Sequence, residues 1–171
     1  MPNDLYADPE VCQAVLMDYY RNPRCAGICA AATHKDEGEN PSCGDVVNIS
    51  LRITGAGTEP APAGGTDPRI LEARTTGAGC AISQASASLL MERLEGQSVA
   101  EAKAVILAMH HLLTGSGTTE GGSESTPEFL QHLQALKMIR HNPARVRCAM
   151  IAPQTAARLL GITLPPESGA Q

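Results

Sequence analysis

Residues 47–53 read Val47-Asn48-Ile49-Ser50-Leu51-Arg52-Ile53. Four apolar side chains alternate with three polar ones, the period of a strand buried on one face only. A run of Gly, Pro, Ala and Thr follows over 55–68, without apolar period, and predicts a long hairpin loop. Alternation resumes over 69–76, with Leu71, Ala73 and Thr75 expected on one side. Two strands joined by a turn are not stable alone, so a further strand or covering helices must complete the sheet.

Helical spacing supplies the cover. Upstream, 9–20 carries Val11, Val15 and Tyr19 at i, i+4 and i+8, and Asn22-Pro23 ends that helix. Residues 24–45 hold no steady period and read as loop with at most one short strand. Downstream, Gly77-Ala78-Gly79 breaks the second strand before Cys80. Ile82, Ala85, Ser86, Leu89, Leu90 and Arg93 then predict a helix that Gly96 stops. Ser98 and Glu101 have capping-box spacing, and Val99, Ala102, Ile106, Met109 and Leu113 give the next helix its buried stripe. Residues 114–125 have linker composition. Thr126-Pro127 predicts the start of a helix through Met138, with Phe129, Leu133 and Leu136 inward. His141-Asn142-Pro143 breaks the chain again, and a last helix is expected from about Pro153 to Leu160. The expectation is one α+β domain over 1–171: a small antiparallel sheet of about three strands packed by about five helices, with tails at 1–7 and 162–171.

Composition narrows the function. The 171 residues carry a net charge of −5, three Tyr, one Phe and no Trp. A phosphate backbone needs a basic face and base stacking needs aromatic rings, so a nucleic-acid partner is not expected. No apolar run approaches the roughly 20 residues of a membrane span. The start, MPNDLYADPE, lacks the basic and apolar regions of a signal peptide, so a cytoplasmic protein is expected. Thiols stay reduced there, and six cysteines then point to metal or sulfur chemistry rather than a disulfide framework.

Cys43, Asp45, Cys80 and Cys148 stand out because each is expected at the end of an element, where separate segments can converge. Glycines beside the first three let backbones approach. A helix start favours thiolate, the form that binds metal or attacks sulfur. Three thiolates and a carboxylate make a tetrahedral set for Zn²⁺, and the same thiolates could hold an iron–sulfur cluster. Spacing alone leaves a third reading open, in which each Cys is a small buried hydrophobe. Cys12, Cys25 and Cys29 have no matching pair elsewhere and read as structural. Of His110-His111 only one can face inward, and His34, His132 and His141 read as surface residues. No His stands in a context that would serve a Cys/His protease.

The strings Asn40-Pro41-Ser42-Cys43-Gly44-Asp45, Gly77-Ala78-Gly79-Cys80-Ala81-Ile82-Ser83 and Arg145-Val146-Arg147-Cys148-Ala149 resemble the IscU/SufU (NifU amino-terminal) family of iron–sulfur assembly proteins, as does Asp18-Tyr19-Tyr20-Arg21-Asn22-Pro23-Arg24. Arg147 stands where IscU-type scaffolds carry His. Arg145 matches an Arg of the SufU branch, and 115–141 resembles that branch's extra segment. The resemblance implies Zn²⁺ on Cys43, Asp45, Cys80 and Cys148. It further implies that Cys43 accepts persulfide sulfur from a SufS-like cysteine desulfurase, that Arg145 supports the site or the docking, and that downstream assembly proteins receive the product. At most this is a zinc-dependent sulfurtransferase. The alternatives are a scaffold assembling a [2Fe–2S] or [4Fe–4S] cluster on the same cysteines, and a structural zinc domain. The chain departs from the family pattern in its long 55–68 loop, in Tyr19 where His is usual, and in Pro153 where SufU chains carry an aromatic residue.

Overall fold

The structure, a computed structural model, describes residues 2–55, 67–115 and 131–166. Three antiparallel strands form one sheet in the order β1 (His34–Asn40), β2 (Asp45–Ile53), β3 (Ile70–Ala78). Four α-helices accompany it among the described residues: α1 (Pro9–Arg21), α2 (Ala81–Leu94), α3 (Val99–Thr114) and α4 (Pro143–Leu159). Two 3₁₀ helices, Pro2–Ala7 and His132–Ile139, complete the set. This is the expected α+β architecture. The 55–68 loop and the 114–125 linker fall largely outside the described residues, as do Thr126, Pro127 and Phe129.

Val47, Ile49, Leu51 and Ile53 are all buried, as their alternation requires. They face α2 and α4, which lie directly on the sheet, while α1, α3 and the second 3₁₀ helix pack outside those two. That middle position explains the composition of α2, which is buried nearly all round and built from Ala and Ser as much as Leu. Small residues let it approach its neighbours on every side. The capping box at Ser98 is complete, with the Ser98 hydroxyl accepting from the Glu101 amide and Glu101 accepting from the Ser98 amide.

The sheet differs from expectation in phase. Arg52 pairs with Glu72 but Ile53 pairs with Ile70, so Leu71 is the extra residue of a bulge. Ile70 is therefore fully buried and Leu71 is exposed, the reverse of expectation at that end of β3, while Ala73 and Thr75 are buried on one face as expected. On α1 the buried stripe is Cys12, Leu16 and Tyr19, because a thiol buries as readily as a methyl group; Val11 and Val15 sit at its margin. The expected terminal tails are also partly packed, with Tyr6, Ile162 and Leu164 against the core.

The largest difference is α4. It begins at Pro143 with Asn142 as its cap, whose side chain accepts from the Arg145 amide at 3.2 Å, and it runs ten residues further upstream than expected. Pro143 is therefore a helix opener and Pro153 an interior residue. An interior proline lacks the amide that would bond the carbonyl four residues back, here that of Ala149. The Ser86 hydroxyl of α2 fills that vacancy, donating to the Ala149 carbonyl at 2.6 Å. Ser86→Ala should accordingly cost about 1–3 kcal/mol, the price of a buried orphan carbonyl. The cost should shrink in a Pro153→Ala background, where residue 153 regains its amide; a double-mutant cycle in urea reads the difference.

A polar cluster ties the second 3₁₀ helix to α1 and α2. The Tyr19 hydroxyl donates to Glu92 Oε2 at 2.5 Å and lies 2.7 Å from His132 Nδ1, with the Arg24 guanidinium 4.0 Å over its ring. Burial, then the Glu92 carboxylate, pushes the Tyr19 phenol up to about 12. His132, expected at the surface, is a packing residue of this cluster instead, and burial holds its pKa below the usual value.

Both sheet margins are occupied. Along β1 the side chains of Lys35, Glu37 and Glu39 are exposed, and Arg158 of α4 reaches Asp36 Oδ2 at 2.9 Å and the Glu37 carbonyl at 3.0 Å. Along β3, residues 25–27 lie as a short parallel bridge: Thr75 donates to the Cys25 carbonyl and Gly27 to the Thr75 carbonyl. No helix of the described residues is long and apolar enough to cross a membrane.

Candidate metal centre

The turn between β1 and β2 carries the first thiol. The Asn40 carbonyl accepts from the amides of Cys43 at 3.2 Å and Gly44 at 2.8 Å. Gly44 takes a left-handed φ of 73°, which places Cys43 at the exposed tip. Asp45 opens β2 directly opposite Asn40 and is buried.

Cys80 is the N-cap of α2, reached from β3 through Gly79. Its amide donates to Asp45 Oδ1 at 3.2 Å. Its own thiol is exposed and leans to the Ser83 hydroxyl at 3.9 Å. Cys148 lies inside α4, within its second turn, rather than before the last helix as expected. Its sulfur is buried and stands 3.5 Å from Cys43 Sγ.

Cys43, Asp45 and Cys148 thus bring ligand atoms that all lie within 4.8 Å of one another. Cys80 joins them through its backbone, and its thiol stands outside that tight group. Arg145 is exposed on the first turn of α4, one turn before Cys148.

The electrostatics suit a cation. Asp45 Oδ2 is buried and has no hydrogen-bond partner, an expensive state for a carboxylate oxygen. Burial pulls the Asp45 carboxyl upward, but donors from Cys80, Ser83 and Cys148 outweigh it and hold the group below the usual range. Asp45 therefore stays ionised. The Cys148 thiol moves the other way, up to about 12, through burial first and then through Cys43, Cys80 and Asp45 around it. Cys148 sits in the second turn of α4 rather than at its start, so desolvation and the groups around it govern its thiol. A divalent ion would relieve both strains together. Two sulfurs on one tetrahedral zinc sit about 3.8 Å apart, given Zn–S bonds of about 2.3 Å. The 3.5 Å between Cys43 and Cys148 is close to that value.

A family model described as the NifU-like N-terminal domain matches residues 11–120. The chain belongs to that family. An iron–sulfur cluster assembly scaffold protein IscU of Thermotoga maritima is 31% identical over 145 residues, 85% of this chain and 89% of that protein. A zinc-dependent sulfurtransferase SufU of Bacillus subtilis is 29% identical over 138 residues, 81% of each. The crystal structure of an iron–sulfur cluster assembly scaffold for the SUF system from Fervidobacterium islandicum superposes with a TM-score of 0.68 at 26% identity, over 85% of this chain and 93% of that one. The chain is thus an iron–sulfur cluster assembly protein of the IscU/SufU type, and the two named branches match it about equally well.

The remaining cysteines lie apart from the site. The Cys12 thiol donates to the Tyr6 carbonyl at 3.3 Å, and the fully buried Cys29 thiol donates to Glu72 Oε2 at 3.2 Å. Burial is the first cause raising the pKa of Cys12, Cys25 and Cys29, so all three stay protonated. Two contributors escaped the sequence reading. Asn40 was visible only as a motif letter, although Asn two residues before Ser42 is the spacing of an Asx turn. Gly79 looked like a strand breaker, whereas its missing side chain leaves room for the Asp45 carboxylate.

Proposed function

We propose that this family member works as a zinc-bearing sulfur acceptor for a cysteine desulfurase, with Cys43 as the accepting thiol. The observation that carries the reading is the buried, unpartnered Oδ2 of Asp45 beside the sulfurs of Cys43 and Cys148. That set asks for a single ion with mixed sulfur and oxygen ligands, and the Cys80 thiol, whose own amide is bonded to Asp45, would supply the fourth ligand. Bound there, zinc would keep the thiols ionised and protected until transfer.

The chain's own residues divide the work. Cys43 is exposed on a turn, so it can leave the set without disturbing an element, whereas Cys148 is fixed in α4 and Asp45 in β2. The released Cys43 thiolate attacks the outer sulfur of the partner's persulfide. A new S–S bond forms on Cys43, the partner's S–S bond breaks, and the partner's cysteine leaves as thiolate. Arg145, exposed beside the site, would meet the partner's surface. The zinc-dependent sulfurtransferase among the relatives supports this reading, as does Arg147 in the place of a scaffold's His.

The scaffold reading rests on the equally similar IscU relative and treats a cluster as cargo on the same cysteines. Protein purified without oxygen distinguishes them: one equivalent of zinc and no colour supports sulfur transfer, and a brown thiolate–iron chromophore supports the scaffold. In an assay with a SufS-like desulfurase and cysteine, the wild-type chain should raise alanine release, and Cys43→Ser should return it to the level of the desulfurase alone. Equal stimulation by the variant would sink the proposal.

A further inference from the structure

Asn40 touches Cys43, Asp45 and Cys148 without being a ligand. Its carbonyl holds the Cys43 turn through two amides, and the Cys43 thiol itself leans to that carbonyl at 3.8 Å. Its backbone pairs with Asp45 across the β1–β2 register. Its side chain is buried, with Oδ1 accepting from the Ser42 amide at 3.1 Å and Nδ2 donating to Cys148 Sγ at 3.7 Å.

The orientation of that side-chain amide follows from chemistry. A backbone N–H can only donate, so the oxygen of Asn40 must face Ser42. The NH₂ group is then directed at Cys148 Sγ, and the length of the contact reflects the size of sulfur. An N–H donor stabilises a sulfur that carries negative charge, whether free or shared with a metal. We infer that Asn40 is a positioning residue of the metal centre, whose side-chain NH₂ holds and tunes the metal-bound sulfur of Cys148 while its oxygen fixes the Cys43 turn. This rests on the metal reading above. It also gives the site an asymmetry, since Cys148 keeps a donor when Cys43 departs.

Asn40→Asp separates the two duties. Asp is isosteric and still accepts from Ser42, which preserves the turn, but it presents lone pairs to Cys148 where Asn presents N–H. Asn40→Ala removes both contacts. Co²⁺ is the probe, followed by its thiolate-to-metal charge-transfer band and by chelator competition, with thermal melts of the metal-free proteins alongside. In Asn40→Asp, Co²⁺ affinity should fall about 10- to 100-fold, the range for an outer-shell partner. The band should move to longer wavelength, because a sulfur without its donor gives up charge more easily, while the metal-free melt stays near wild type.

A wild-type band and affinity in Asn40→Asp would overturn the inference and leave the metal reading standing. Lower affinity with an unmoved band in both variants would reduce Asn40 to a turn former and overturn it too. A wild-type chain that takes up no Co²⁺ would remove both the metal reading and the inference. Should Asn40→Asp fail to fold, the band of Asn40→Ala decides by the same criterion.

Discussion

Gly79→Ala should cost the protein its metal site together with part of its stability. A Cβ at that position would stand 2.6 Å from Asp45 Cγ, 2.7 Å from Oδ1 and 2.8 Å from Asp45 Cβ. Rotating the carboxylate away does not help, since the Asp45 Cβ, fixed by the backbone, is itself in the way. Asp45 opens β2 and is paired to Asn40, so the strand would have to shift. Gly79 also has φ of 156°, at the margin of the region side chains avoid, which adds about 1–3 kcal/mol. The expected result is Zn²⁺ affinity lowered at least ~100-fold, as large as the strongest outer-shell effects. The melting temperature of the metal-free chain should fall by about 3–10 °C. Titration of zinc against a competing chelator and a thermal melt read the two effects, and wild-type affinity in this variant would contradict the placement of Asp45.

Gly77→Ala should be the more damaging change to the fold. Its Cβ would lie 2.2 Å from the Val46 carbonyl oxygen and 3.2 Å from its carbon. Both belong to the backbone of the central strand, which is bonded on either side and cannot yield. Overpacking against movable side chains costs about 1–3 kcal/mol; against a locked backbone about 3 kcal/mol or more is expected. Urea unfolding should show a lower midpoint with little change in slope, since the surface exposed on unfolding is the same. A midpoint equal to wild type would show that β2 and β3 can part at Val46 without loss.

Much of this architecture is legible in local periodicity. The alternation at 47–53, the helix after Cys80 and the capping box at Ser98 each follow from contacts within a few residues, and each appears where the sequence places it. The failures come from contacts distant in sequence. Leu71 and Ile70 exchange faces because a bulge opposite Arg52 resets the pleat, and nothing in 69–76 alone announces it. Pro153 reads as a helix start because its compensation, the Ser86 hydroxyl, lies 67 positions earlier on another helix. His132 reads as exposed because its partner Tyr19 and the Glu92 carboxylate bonded to that phenol belong to two other helices.

The site divides along the same line. Cys43, Asp45, Cys80 and Cys148 are recognisable as motif residues, and the structure brings three of their side chains together. Their electrical states are not recognisable from motifs. The Cys148 thiol is pushed up by burial and then by its neighbours, the Asp45 carboxyl is held down by donors from α2 and α4, and the empty space that Gly79 leaves for Asp45 is a property of the packed chain only.

The guarded margins of the sheet bear on how this chain behaves when crowded. A bare strand edge is a template for another chain to add to, and three strands offer two such edges. Here one edge presents a lysine and two glutamates to solvent, while an arginine from α4 engages one of its carbonyls; the other is partly covered by the chain's own residues 25–27. Strand addition from a neighbouring copy is disfavoured on both sides. With both edges guarded, the exposed turn at Cys43, beside one of them, offers the sulfurs to other molecules without offering a strand to extend.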